Sequence, residues 1–232
     1  TGWRNLTEIV SRGFIEGQQL GIPCVKKDWV LEQAEDLIVL LGQHSDVGKM
    51  LCSSNPQKAE PLLEAWIEKF GNQVYLALTR TERVGEEDYI QQAVKLAAKY
   101  QLGVVAHNDV HFIEQDDFEA HEARVCIADG YVLGDDKRPK TYSSEQYFKT
   151  AVQMSELFAD LPAALENSYH IAKRCNVTLQ LGTYFLPDFP IPDGYTIDTY
   201  FEHLSREGLE QRLNHLYPIA ERDEDWAEIR KP

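Results

Sequence analysis

Residues 73–107 read QVYLALTRTERVGEEDYIQQAVKLAAKYQLGVVAH. Two short apolar runs, Gln73–Leu78 and Gly103–His107, bracket a segment, Glu86–Tyr100, that carries Ile90, Ala93, Val94 and Ala97 on one helical face. The spacing predicts strand, helix, strand. Such a unit joins parallel strands through a right-handed crossover, and in folds built from it the loops after the carboxyl ends of the strands carry the chemistry.

The alternation extends toward the amino terminus. "DLIVLL" (Asp36–Leu41) is a nearly continuous apolar run, as expected of a strand covered on both faces, and helical stretches follow at Val47–Cys52 and Pro56–Phe70. Earlier still, Leu6, Ile9, Val10 and Phe14 form one stripe, predicting an amphipathic helix that stops near Gly17, before a polar loop with Gly21 and Pro23. Beyond Gly130 the pattern turns to polar loop and helix. Ser143 and Gln146 stand at capping-box spacing, and Asp160 is the expected cap of a helix with Pro162 in its first turn and Lys173 and Arg174 in its last. "YFLPDFPIPDG" (Tyr184–Gly194) reads as a proline-rich linker, and Asp198–Leu216 as a helix running on into charged residues.

Composition narrows the function classes. The chain has 232 residues, 43% of them apolar, enough for a real core. Its 38 acidic and 23 basic residues leave a charge of -15, which repels a phosphate backbone, so this surface by itself should not grip DNA or RNA; the bland reading is that the acidity keeps the protein soluble. Cys24, Cys52, Cys126 and Cys175 form no CxxC pair, so neither a zinc knuckle nor a disulfide framework is indicated and a reducing cytoplasm fits. No apolar run approaches the length of a membrane span. There is no glycine-rich phosphate loop, GxSxG elbow or HExxH, and the 11 tyrosines and 4 tryptophans are not interleaved with basic residues as a stacking platform would need.

One stretch carries candidate chemistry. In "VVAHNDVHFIEQDDFEAHEARVCIADG" (Val104–Gly130), Asp109 and His111 lie two residues apart, so on an extended backbone both side chains project to one side. An oxygen and an imidazole suit zinc, manganese or iron, but two ligands do not make a site. His107 is a weaker third candidate. His121 is expected to pack or cap in a short helix, and Glu114, Asp116, Asp117 and Glu119 to form a solvated loop and first helical turn.

"GVVAHNDVHFIEQDDFEAHEARVCIADG", "DDKRPKTYSSEQYF" and "SELFADLPAALENSYHIAKRCNVTLQLGTYFLPDFP" resemble the amino-terminal region of the alpha-subunit family of bacterial replicative DNA polymerase III, and the likeness runs over essentially all of the chain. "TGWRNLTEIVS" resembles a segment well inside the family's first domain, so the chain, which begins at Thr1, reads as a fragment of something longer. The resemblance implies an α/β fold: a partial PHP-type (β/α) barrel with parallel strands, lacking its first strands, plus carboxy-terminal helices. The expected domains are 1–183, a truncated PHP (polymerase and histidinol phosphatase) domain; 184–197, a linker; and 198–232, the helical start of the connection to the polymerase body. Three strands cannot close a barrel, so an open edge and uncovered apolar faces are expected, hidden by self-association or rearranged terminal helices.

In complete members the resemblance implies metals held by histidines, carboxylates and in some cases a cysteine at several strand ends. The family's Asp-x-His motif falls on Asp109 and His111; the positions of an acid and a histidine after the middle strand fall on Ala77 and Thr81, and the cysteine position on Gln43. Neither alanine nor threonine can replace a carboxylate or imidazole, so the site reads as degenerate. The resemblance thus implies a DNA-directed DNA polymerase as parent, with magnesium as its cofactor. This piece would be a non-catalytic scaffold with no bound cofactor, docking the proofreading exonuclease subunit and other replicase subunits in the bacterial cytoplasm, with DNA contacts elsewhere in the parent and no membrane partner. The competing reading is a metal-dependent phosphoesterase, an exonuclease or pyrophosphatase, using zinc or manganese on Asp109 and His111 with His107 or His44 replacing lost ligands.

Overall fold

A computed structural model describes residues 1–184, 186 and 188–217. The chain divides into two compact units, Thr1–Thr178 and Leu179–Pro232. Phe185 and Pro187 of the expected linker, and residues 218–232 of the expected carboxy-terminal segment, lie outside the described residues.

The first unit opens with helix α1 (Gly2–Ile15) and a two-residue-stranded hairpin, β1 (Gln18–Gln19) and β2 (Ile22–Pro23), where only a polar loop was expected. Leu20 and Gly21 both take positive φ, 52° and 82°, the left-handed pair that closes a tight antiparallel turn. Then come α2 (Lys27–Glu32), β3 (Val39–Leu41), α3 (Asp46–Leu51), α4 (Ala59–Phe70), β4 (Val74–Leu78), α5 (Glu86–Tyr100) and β5 (Gly103–Ala106). Strands β3, β4 and β5 form a parallel sheet in that order, with Leu40 beside Tyr75 and Ala77 beside Val105. Both crossovers of the predicted pattern are present, and the strand boundaries shift by one to three residues. The unit continues with α6 (Phe118–Asp129), α7 (Ala151–Leu157) and α8 (Pro162–Arg174).

One face of the sheet builds the core. Leu41, Val74, Leu76, Leu78 and Ala106 pack against Val47, Leu63, Trp66, Tyr89 and Ala93 from α3, α4 and α5. Close approach at α3 requires glycine: a Cβ on Gly48 would lie 2.2 Å from the Gly42 carbonyl oxygen. The far edge of β5 is covered by α8, where Asn167 Nδ2 donates to Val104 O (2.8 Å) and Ser168 donates to Ala106 O. These bonds satisfy carbonyls that would otherwise offer an edge to another strand.

Four expectations are corrected. The stripe Leu6, Val10 and Phe14 does not meet the core: α1 buries Gly2, Asn5, Ile9 and Gly13, and leaves Leu6 44%, Val10 46% and Phe14 55% exposed. The small face is the one that seats, because Gly2 runs against Asp36 and Gly13 against Val25. Likewise β3 is not covered on both faces, for Leu40 is 45% exposed on the open edge strand, whereas β4 is buried along nearly its whole length. Ser143 and Gln146 close a turn rather than start a helix; Gln146 Oε1 accepts from Ser143 N (2.9 Å) while its Nε2 is drawn to Asp109. Capping boxes stand instead at Thr150 with Gln153 and, in the second unit, at Thr196 with Thr199. Asp160 does not cap α8, whose N-cap is Leu161; its carboxylate pairs with Arg80 (2.6 and 2.9 Å), a charged partner that outcompetes a backbone N–H.

The second unit holds α9 (Ile197–Leu216), which contains the whole of the expected helix Asp198–Leu216. Tyr195, Tyr200 and His203 stack about its first turns, with ring centroids 5.3 Å apart for Tyr195–Tyr200 and Tyr195–His203. Among the described residues no helix is long and apolar enough to cross a membrane.

Candidate functional site

The sheet aims its strand ends at one place. His107 N bonds to Leu78 O (3.0 Å), extending the β4–β5 ladder by one residue. Strand alternation then sets His107 on the face of Val105 and Ala77, opposite the helix-covered core. The following loop is pinned by residues 143–148: His111 N donates to Gln146 O (2.9 Å), Phe148 N to Phe112 O (3.1 Å), and Phe112 bridges Tyr147. A sequence that looks like free loop is thereby held as a rigid rim.

Asp109 and His111 do meet, with His111 Nε2 3.5 Å from Asp109 Oδ1. The other carboxylate oxygen is taken. Asp109 Oδ2 accepts from Arg83 Nη1 at 2.9 Å and from Gln146 Nε2 at 3.0 Å. Both residues line a cleft of about 560 Å3 together with His44, Gln43, Arg83 and Tyr142. His121 lies behind, buried in α6, its ring 5.3 Å from that of His111 and 4.6 Å from that of Tyr142. That is the packing role expected of it. Glu114 and Asp117 cap a short 3-10 turn at Gln115–Asp117, and the acidic cluster faces solvent.

Electrostatics follow from burial. His107 is held below the usual histidine range chiefly by burial, with Arg83 adding to the shift while Asp109 and Glu86 oppose it. His121 is lowered by burial first, then by His111 and Arg124, against Glu122.

Two residues that sequence reading did not single out, Arg83 and Glu86, organise the opposite rim. Thr81, fully buried, donates through both N and Oγ1 to the Glu86 carboxylate, each at 2.6 Å. Arg83 Nε reaches Thr81 Oγ1 (2.9 Å) and Glu86 Oε1 (3.3 Å). Their signal was the string TRTERVGE directly after an apolar strand, where a basic residue three before an acid forms a local pair. Ala77 is a buried strand residue, and Gln43 donates to Val84 O (3.4 Å) across the cleft.

Residues 1–81 match the PHP domain family. The chain is 52% identical over 218 residues to DNA polymerase III subunit alpha of Pseudomonas aeruginosa, covering 94% of this chain and 19% of that protein. The subunit of Vibrio cholerae is 48% identical over 221 residues, covering 95% and 19%. With the subunit of Escherichia coli O157:H7 the identity is 45% over 233 residues, covering 100% and 20%. Over nearly all of its length the chain is similar to DNA polymerase III alpha subunits. It spans about a fifth of the length of these DNA polymerase III alpha subunits.

A PHP domain raises the matter of a metal, and the residues present do not fit one. Asp109 offers one oxygen not claimed by Arg83 and Gln146, and among the described residues His111 is the imidazole within ion-pair distance of it. Among the described residues no group of three or more histidine, cysteine, aspartate or glutamate side chains is placed to hold a metal ion. Glu86, the buried acid at the rim, has both oxygens engaged by Thr81 and Arg83.

Proposed function

We propose that this chain is the PHP portion of a replicative DNA polymerase, in which it acts as a non-catalytic scaffold. The domain layout proposed is a truncated PHP domain over 1–183, a linker over 184–197, and from 198 the start of the connection to the polymerase body. The parent is a DNA-directed DNA polymerase of the bacterial cytoplasm that uses magnesium and whose catalytic carboxylates lie outside this chain. The scaffold braces the polymerase body and docks the proofreading exonuclease subunit. What carries this reading is that Arg83 sits on Asp109, in the cleft where a working PHP site would need its metal. The net charge of -15 agrees, because DNA contacts then belong to other parts of the parent. Two assays test it. The chain is expected to extend no primed DNA with magnesium and nucleotides, and Asp109→Ala, His111→Ala in the parent is expected to leave polymerase activity and exonuclease-subunit binding unchanged. Primer extension by the isolated chain, or loss of polymerase activity or of exonuclease-subunit binding in the double variant, would count against it.

One observation favours a second reading, a metal-dependent phosphoesterase: Asp109 and His111 face each other across 3.5 Å in a cleft that also holds His44. Stoichiometric zinc or manganese in chelator-free protein, absent from the double variant, together with hydrolysis of a phosphodiester, would establish it.

A further inference from the structure

We propose that Arg83 is a built-in cation that takes the place of a divalent metal between Asp109 and Glu86. The inference rests on the scaffold reading above and names the device by which the site dispenses with metal. A metal in an α/β site joins donors from different strand ends and offsets their charge. Arg83 does both. It stands in the loop after β4, binds Glu86 at the start of α5 through Nε (3.3 Å), and reaches Asp109 in the loop after β5 through Nη1 (2.9 Å). The planar guanidinium presents these donors in a fixed fork, which an ammonium could not do.

The charge balance makes the cation necessary. The Glu86 side chain is 4% exposed and that of Arg83 is 20% exposed. A carboxylate so buried is stable only with hydrogen bonds and an opposite charge. Thr81 N, Thr81 Oγ1 and Arg83 N supply hydrogen bonds to Glu86, and the amino-terminal end of α5 adds its dipole. Among the described residues the ion pair made by Glu86 is with Arg83. Asp109, 37% exposed, adds Gln146 Nε2 and the His111 ring to the same guanidinium. A metal approaching Asp109 would meet a positive charge already in place.

The test measures Tm of the chain in EDTA and in millimolar manganese, for wild type, Arg83→Gln and the double variant Arg83→Gln, Asp109→Asn. Glutamine keeps a polar, hydrogen-bonding end on a shorter stem and removes the charge. Wild type is expected to melt at the same temperature in both solutions. Arg83→Gln is expected to lose about 5–10 °C in EDTA and to regain several degrees in manganese, the ion now filling the place of the guanidinium. The double variant is expected to lose less and to ignore manganese. An Arg83→Gln protein that is as stable as wild type, or destabilised without any manganese response, overturns the surrogate role and leaves the scaffold reading standing. Wild type that takes up stoichiometric manganese and gains Tm overturns both. Should Arg83→Gln not fold, the double variant is expected to fold because one of the two uncompensated acids is gone; failure of both overturns the inference.

Discussion

His121 shows how one side chain's burial becomes a property of the whole fold. It is 6% exposed and among the described residues its Nε2 has no hydrogen-bond partner, so protonation would bury an uncompensated charge beside His111. Its affinity for a proton in the fold is below the ordinary value near 6.5, as is that of His107. The unfolded chain therefore binds protons first as pH falls. Stability is expected to be intact above pH 6.5 and to decline as the pH drops below it toward the folded-state values. Urea midpoints measured from pH 7.5 to 5 should fall, and His121→Phe, which keeps the ring packing without a titrating nitrogen, should make that fall shallower. An unchanged slope would mean that His121 is not protonated on unfolding. The residue scale also explains what sequence reading could not find: Asp109 and His111 are visible as a pair two positions apart, whereas their governing partner, Arg83, is 26 residues earlier, and only the parallel alignment of β4 and β5 brings it within 2.9 Å.

At the scale of elements, the central strand and its caps carry the stability. Leu76 is fully buried in β4 between the two other strands and the α3–α5 layer, and Leu76→Ala is expected to cost about 2–5 kcal/mol through lost burial and the cavity left behind. The β5 edge is a different case. Asn167→Ala removes the donor to Val104 O and should cost about 1–2 kcal/mol by leaving a partly buried carbonyl unsatisfied. Chemical denaturation of both variants checks the order; a larger loss for Asn167→Ala than for Leu76→Ala would show that the α8 cap, rather than the core, limits stability. The elements themselves were legible because their cues are local. Strand, helix and strand between residues 73 and 107 follow from apolar spacing that persists in any surroundings. The misread caps at Ser143 and Asp160 have non-local causes, since Gln146 and Asp160 are claimed by Asp109 and Arg80 from elsewhere in the chain.

For the molecule as a whole, the unbalanced coverage of the sheet is the main consequence. The β5 edge is closed by α8, while β3 pairs on one side and leaves Leu40 half exposed, and α1 presents Trp3, Leu6, Val10 and Phe14 to solvent. A contiguous apolar helix face of this kind favours association. Sedimentation of the chain is expected to show self-association that grows with concentration, and Leu6→Glu with Val10→Glu is expected to shift it toward monomer without unfolding α1, whose seated face is Gly2, Asn5, Ile9 and Gly13. A wild type that stays monomeric at high concentration would refute this. Sequence alone determined the parallel α/β order, the positions of the main strands and helices, and the pairing of Asp109 with His111, because each depends on periodicity or on neighbours in the chain. Which apolar stripe of α1 is buried, which strand edge is covered and which cation meets Asp109 were decided by tertiary structure. Each of those outcomes depends on which distant surface is present to compete for the group, and no local pattern encodes that competition.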